Sequence, residues 1–115
     1  MKKIYSYWED PQTGESGYWE ADITFSAEAT DHSDRGGGDM VWSKECKTLK
    51  SAITEAKKYF KKHPMYSVDV YANAVLTERN QDGTARSNPT NDGARLGTIW
   101  DDGSYFDLCE DVRWL

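Results

Sequence analysis

Three kinds of residue in this chain could do chemistry: two cysteines with two histidines, several paired carboxylates, and a run of lysines. Cys46 or Cys109 beside His32 or His63 would make a thiolate–imidazole pair, if the fold brought them together. Yet Cys46 stands just ahead of an apolar helical stripe and Cys109 alternates with Asp107 in a strand pattern, and both places suit small buried hydrophobes. Without CxxC spacing, two cysteines and two histidines do not make a structural zinc site. The run Asp31-His32-Ser33-Asp34, with Asp39 nearby, has groups that bind divalent cations. It lacks the alternating acids and closing glutamate of a calcium loop, and it also suits a solvated loop. Gly36-Gly37-Gly38 lies too far ahead of any helix start to cradle phosphate, and Asp34 and Asp39 would repel an anion there. The acid pairs Glu9-Asp10, Asp101-Asp102 and Glu110-Asp111 would need a deep cleft to act as a glycosidase dyad, and Asp101-Asp102-Gly103 is ordinary turn chemistry. The sequence thus predicts no catalytic residue, no metal and no cofactor.

Charge is the stronger signal. From Lys44 to Lys62 there are seven lysines against Glu45 and Glu55, a local balance of +5. Residues 1–43 balance at −6 and residues 64–115 at −5, so one basic segment is set between two acidic, aromatic-rich ones. Such a layout acts on partners and steering more than on fold. The net charge of −6 argues against nonspecific nucleic-acid binding, because a phosphate backbone repels an acidic protein. It leaves room for a local basic face made of Lys50, Lys57, Lys58, Lys61 and Lys62.

The elements that must carry these groups follow from periodicity. Residues 4–8 are β-branched and aromatic, which predicts a strand. Residues 18–25 alternate, with Trp19, Ala21, Ile23 and Phe25 on one face and Tyr18, Glu20, Asp22 and Thr24 on the other. The turn residues between them predict an N-terminal hairpin. Residues 26–40 read as a long flexible loop, with a short extended piece at 40–42. Leu49, Ala52, Ile53, Ala56 and Phe60 form one helical stripe over about residues 48–62, with Thr48 as N-cap and His63-Pro64 as the stop. A long strand is expected over 66–78, a second open loop over 84–94, and two strands over 95–100 and 105–109 about a turn at 101–104. Residues 111–115 suit a last strand or a docked tail. The order β-β-α-β-β-β predicts one α+β domain over 1–115, an antiparallel sheet with the helix on one face.

No segment approaches the roughly 18 continuous apolar residues of a membrane span. The N-terminal residues turn polar before a signal-peptide core forms, so the expected place is the cytoplasm, with reduced thiols. The aromatics exceed what one small core holds, and exposed Tyr and Trp favour protein interfaces.

In size, acidity and β-β-α-β layout the chain resembles the small inhibitors carried by phages and mobile elements, such as anti-CRISPR proteins. The resemblance implies a short, cofactor-free α+β domain and carries over no site residue. The expected function is therefore a non-enzymatic protein-binding domain that covers a functional surface of a larger protein or protein complex, nucleic-acid-binding ones included. Its expected partner-binding residues are Tyr18, Glu20, Asp22, Asp101 and Asp102. The alternative is a nucleic-acid or phosphate-ligand binder using the lysine face. A homodimer through an exposed sheet edge is a further expectation.

Overall fold

Leu49–Lys62 form the one helix among the described residues, α1, because its stripe and its caps agree. The Thr48 side chain accepts a hydrogen bond from the Ser51 N–H at 3.1 Å, which satisfies one of the orphan donors of the first turn. Lys61 and Lys62 stand in the last turn, where the macrodipole favours cations, and the His63 N–H donates to the Tyr59 carbonyl to close the helix. Thr48→Ala is expected to cost about 1 kcal/mol of stability, read as a lower urea midpoint at unchanged slope.

The computed structural model describes residues 1–33, 38–108 and 110–115. The described residues also form six strands: β1 (Lys2–Glu9), β2 (Ser16–Asp31), β3 (Asp39–Cys46), β4 (Ser67–Asn80), β5 (Thr90–Ile99) and β6 (Tyr105–Asp107). They form an antiparallel sheet in the order β1-β2-β4-β5-β6, with β3 also pairing β2. β1 pairs with residues 16–22 of β2 and β3 with residues 25–31, so both use the same long strand in turn. The α+β class and its antiparallel sheet are as the sequence predicts.

Four boundaries differ from the expectation. The loop expected over 26–40 is mostly strand: β2 runs on to Asp31, and the extended piece at 40–42 belongs to the full strand β3. Ala27 and Ala29 are fully buried in that stretch, although its composition looks polar. The order is accordingly β-β-β-α-β-β-β. The loop expected over 84–94 ends earlier, because β5 starts at Thr90. β6 stops at Asp107 rather than reaching 109; of the two expectations for residues 111–115 the docked tail is the one found, since they form no strand. Residues 34–37, which include the Gly36-Gly37 part of the glycine run, and Cys109 lie outside the described residues.

The chain divides by contact density into two compact units, and β2, β4 and β5 contribute residues to each. The first holds residues 1–23, 73–93 and 112–115. It buries Ala21, Ile23, Ala74 and Trp114, and its C-terminal residues dock rather than pair. The second holds residues 24–72 and 94–111. Its core joins Ala52, Ala56 and Phe60 of α1 to Phe25, Ala27 and Ala29 of β2, Val68, Val70 and Ala72 of β4, and Leu96 and Ile99 of β5. The edge strand β3 is tied to α1 by Trp42 stacked on Tyr59 at 4.3 Å and by Lys44 bridged to Glu55 at 3.4 Å.

Candidate functional site

The second unit carries the acidic turn. β5 and β6 pair Gly97 with Asp107, Thr98 with Phe106 and Ile99 with Tyr105. The Trp100 N–H donates to the Ser104 carbonyl at 2.9 Å and the Gly103 N–H to the Trp100 carbonyl at 2.8 Å, which closes the turn. Gly103 takes φ 82°, a conformation that glycine reaches without the Cβ penalty. The Asp102 carboxylate accepts from the Ser104 N–H at 2.9 Å and from its hydroxyl at 2.6 Å. These bonds hold its carboxyl below the usual carboxylate range. Because the folded value is lowered, their contribution is present above the unfolded value near 3.9 and fades as pH falls through the folded one. So Asp102 locks the turn in its ionised form. Asp101 has no ion pair or hydrogen bond among the described residues.

Two large aromatics flank this turn. Trp100 is 52% exposed and Phe106 48%, and their rings meet at 5.2 Å in a tilted pair. Alternation on facing strands puts Trp100 and Phe106 on the same side of the hairpin. Beneath the turn opens a cleft of about 440 Å³, lined by Lys57, Phe60, Lys61 and Pro64 along with Asp101, Asp102 and Gly103. The acids of the turn and two lysines of the proposed basic face thus share one cleft, with an apolar floor.

That grouping divides the lysines. Lys57 and Lys61, one helical turn apart, face the acids. Lys58 and Lys44 both bridge Glu55, at 3.8 and 3.4 Å. Lys50 and Lys62 are exposed and unpaired among the described residues. The sequence places most aromatics away from the lysines, but the fold brings two of them to the helix. Trp42, Tyr59, His63 and Tyr66 follow one another at 4.3, 4.6 and 6.1 Å between ring centres.

The other expected residues belong to the first unit. Tyr18, Glu20 and Asp22 share the outward face of β2, opposite Tyr7, Ile4 and Lys2 of β1. Their acids are already matched: Glu20 is bridged by Arg79 at 3.3 Å, and Asp22 by the N-terminal amine at 3.3 Å. The same unit holds a composite cation site. The Arg86 guanidinium lies 4.2 Å from the centre of the Trp8 ring and bridges Glu15 at 3.3 Å and Glu78 at 3.5 Å.

The remaining candidates gain little. Asp31 accepts from the Ser33 N–H at 2.9 Å, and among the described residues no three His, Cys, Asp or Glu gather as metal ligands. Burial, then the Glu55 charge, pushes the Cys46 thiol up, which makes it a poorer nucleophile. Sequence reasoning missed the pairing of Trp100 with Phe106. The signal was present in the turn at 101–104, since strands closing on it must carry those two rings on one side.

Compared with protein-family models, curated proteins and solved structures, the chain matches none. Among the described residues no helix is long and apolar enough to cross a membrane.

Proposed function

We propose that this chain is a non-enzymatic protein-binding domain. It covers a functional surface of a larger, basic partner in the cytoplasm, as small inhibitors of phages and mobile elements do. The observation that carries this reading is the half-exposed Trp100–Phe106 pair beside the unpaired Asp101. Exposed Trp is the residue most enriched among interface anchors, and an open carboxylate next to it supplies direction and encounter rate. The β2 acids contribute less, because Arg79 and the N-terminal amine already neutralise them.

The test is capture of partners on the tagged chain from a lysate of its source organism, with and without nuclease. The wild type is compared with Trp100→Ala and with the double change Asp101→Lys, Asp102→Lys. The expected result is a stoichiometric protein that survives nuclease and is lost with either variant. A partner retained by both variants rejects the hairpin as the contact.

A second reading has its own observation, the ring series Trp42, Tyr59, His63 and Tyr66 beside the helix lysines. Aromatic platforms next to cations are how single strands are held. Material lost on nuclease treatment would move the function to that face.

A further inference from the structure

We infer that the first unit holds a binding site for a trimethylammonium group, the head of choline or of a trimethylated lysine. The site stands independently of the protein-binding reading and uses none of the residues of the β5–β6 hairpin.

Three consecutive pairs across β1 and β2 build it: Tyr7 opposite Tyr18, Trp8 opposite Gly17, and Glu9 opposite Ser16. All six line one cavity of about 380 Å³, joined by Gln81, the residue after β4. That volume falls within the range of small-molecule sites, roughly 300–1,000 Å³. Alternation puts Tyr7, Glu9, Ser16 and Tyr18 on the same face of the two strands. Directly opposite aromatics commonly pack together, since their Cβ atoms stand about 4.5–5.5 Å apart. Here neither tyrosine makes a ring contact among the described residues. The two rings line a cavity instead of closing on each other.

Glu9 is the one charged residue in that lining. It has no ion pair or hydrogen bond among the described residues. The neighbouring acids are engaged: Glu15 with Arg86, Glu20 with Arg79, and Asp10 as acceptor from the Gln12 N–H. Arg86 lies on Trp8 and is matched by Glu15 and Glu78, so it leaves Glu9 uncompensated. Aromatic faces beside one open carboxylate select a cation. A primary ammonium brings three N–H donors and a tight water shell, and one carboxylate cannot replace them all. A trimethylammonium has no donor to satisfy, so its methyl groups lie on the rings while its charge is balanced by Glu9. Ser16 and Gln81 supply neutral polar groups for the part of the ligand beyond the head.

The experiment titrates the full chain with choline by NMR, following the Gly17 and Gln81 amides. A parallel titration uses dimethylbutanol, the uncharged analogue of choline with carbon in place of nitrogen. Choline is expected to bind about tenfold tighter than this analogue. That advantage is expected to shrink to about threefold or less in Tyr7→Leu and in Glu9→Gln, because each removes part of the attraction for charge. Both residues are exposed, so neither change disturbs the core. A peptide carrying trimethyllysine, beside the same peptide with plain lysine, separates the two sources of the group. Tighter binding of the trimethyllysine peptide than of choline assigns the group to a protein side chain, and the reverse order to a free small molecule. Equal affinity for choline and its uncharged analogue overturns the inference, as does a preference unchanged in both variants. Equal binding of the two peptides overturns it too, and so does methyl glucoside bound in place of choline, which would give the rings to a sugar.

Discussion

Trp114→Ala is expected to cost about 3–5 kcal/mol, the range for removing a large buried aromatic. A domain of this size holds roughly 5–15 kcal/mol in all, so the variant is left with a thin margin. The reason lies in how much the first unit asks of this residue. Trp114 is only 4% exposed, and its indole N–H donates to the Asp92 carboxylate at 2.8 Å. The Lys3 ammonium reaches the Leu115 carbonyl at 2.5 Å, and the Leu115 N–H returns to the Val112 carbonyl at 3.1 Å, so the chain end is tied on either side of the ring. Tyr5 reports on the same place: burial, then the Asp92 charge, pushes its phenol up. A second substitution separates packing from hydrogen bonding. Trp114→Phe keeps much of the buried area but leaves Asp92 without its indole donor, for an expected loss of about 1–3 kcal/mol. Urea unfolding at constant slope measures both. A loss below about 1 kcal/mol for Trp114→Ala would mean that the docked C-terminal residues are not part of the folded unit.

Legibility in the sequence followed the distance over which each feature is decided. The helix was readable because its cap, stripe and stop lie within one short window, and each agrees with the others. The second half of β2 was not. Ser26 to Asp31 looks like loop, and alanine has little strand preference of its own. What makes that stretch a strand is pairing with β3 and full burial of Ala27 and Ala29, both consequences of tertiary structure. The start of β5 failed for the same reason, since Thr90-Asn91-Asp92-Gly93 is turn chemistry read alone.

For the candidate site, sequence identified the carboxylates but not their state. Glu20 and Asp101 look alike on paper. One is neutralised by Arg79, 59 residues away, and the other has no partner among the described residues. The lysines were visible as a basic run, but not that two of them face the acidic turn. Charge can be counted along a chain, whereas charge compensation is settled by the fold.

Gly17→Ala tests the Trp8 end of the first unit, and there the sign of the change is informative. Gly17 is not among the positive-φ glycines, so its backbone conformation is open to any residue. In free space an alanine there would stabilise the protein by about 0.4–1 kcal/mol, by restricting the unfolded chain. Space is what is missing. A Cβ on Gly17 would fall within 3.0 Å of the Arg79 carbonyl oxygen and of the Trp8 ring, closer than real Cβ atoms approach. The carbonyl is main chain of β4 and cannot swing aside. The ring is held by its own N–H, donated to that same carbonyl at 3.2 Å, and carries Arg86 on its face. Displacing Trp8 relieves only the ring contact, while it breaks the indole bond and loosens Arg86 from Glu15 and Glu78; the contact with the Arg79 carbonyl also forces the two strand backbones apart at Gly17. The expected cost is about 3 kcal/mol, at the upper end for overpacking. Gly14→Ala is the control, because nothing lies within 4 Å of its Cβ and only its φ of 73° is strained, for a cost of about 1 kcal/mol. If Gly17→Ala proves neutral or stabilising in urea unfolding, the Trp8 ring does not sit over β2 as described, and the Trp8–Arg86 stack loses its foundation.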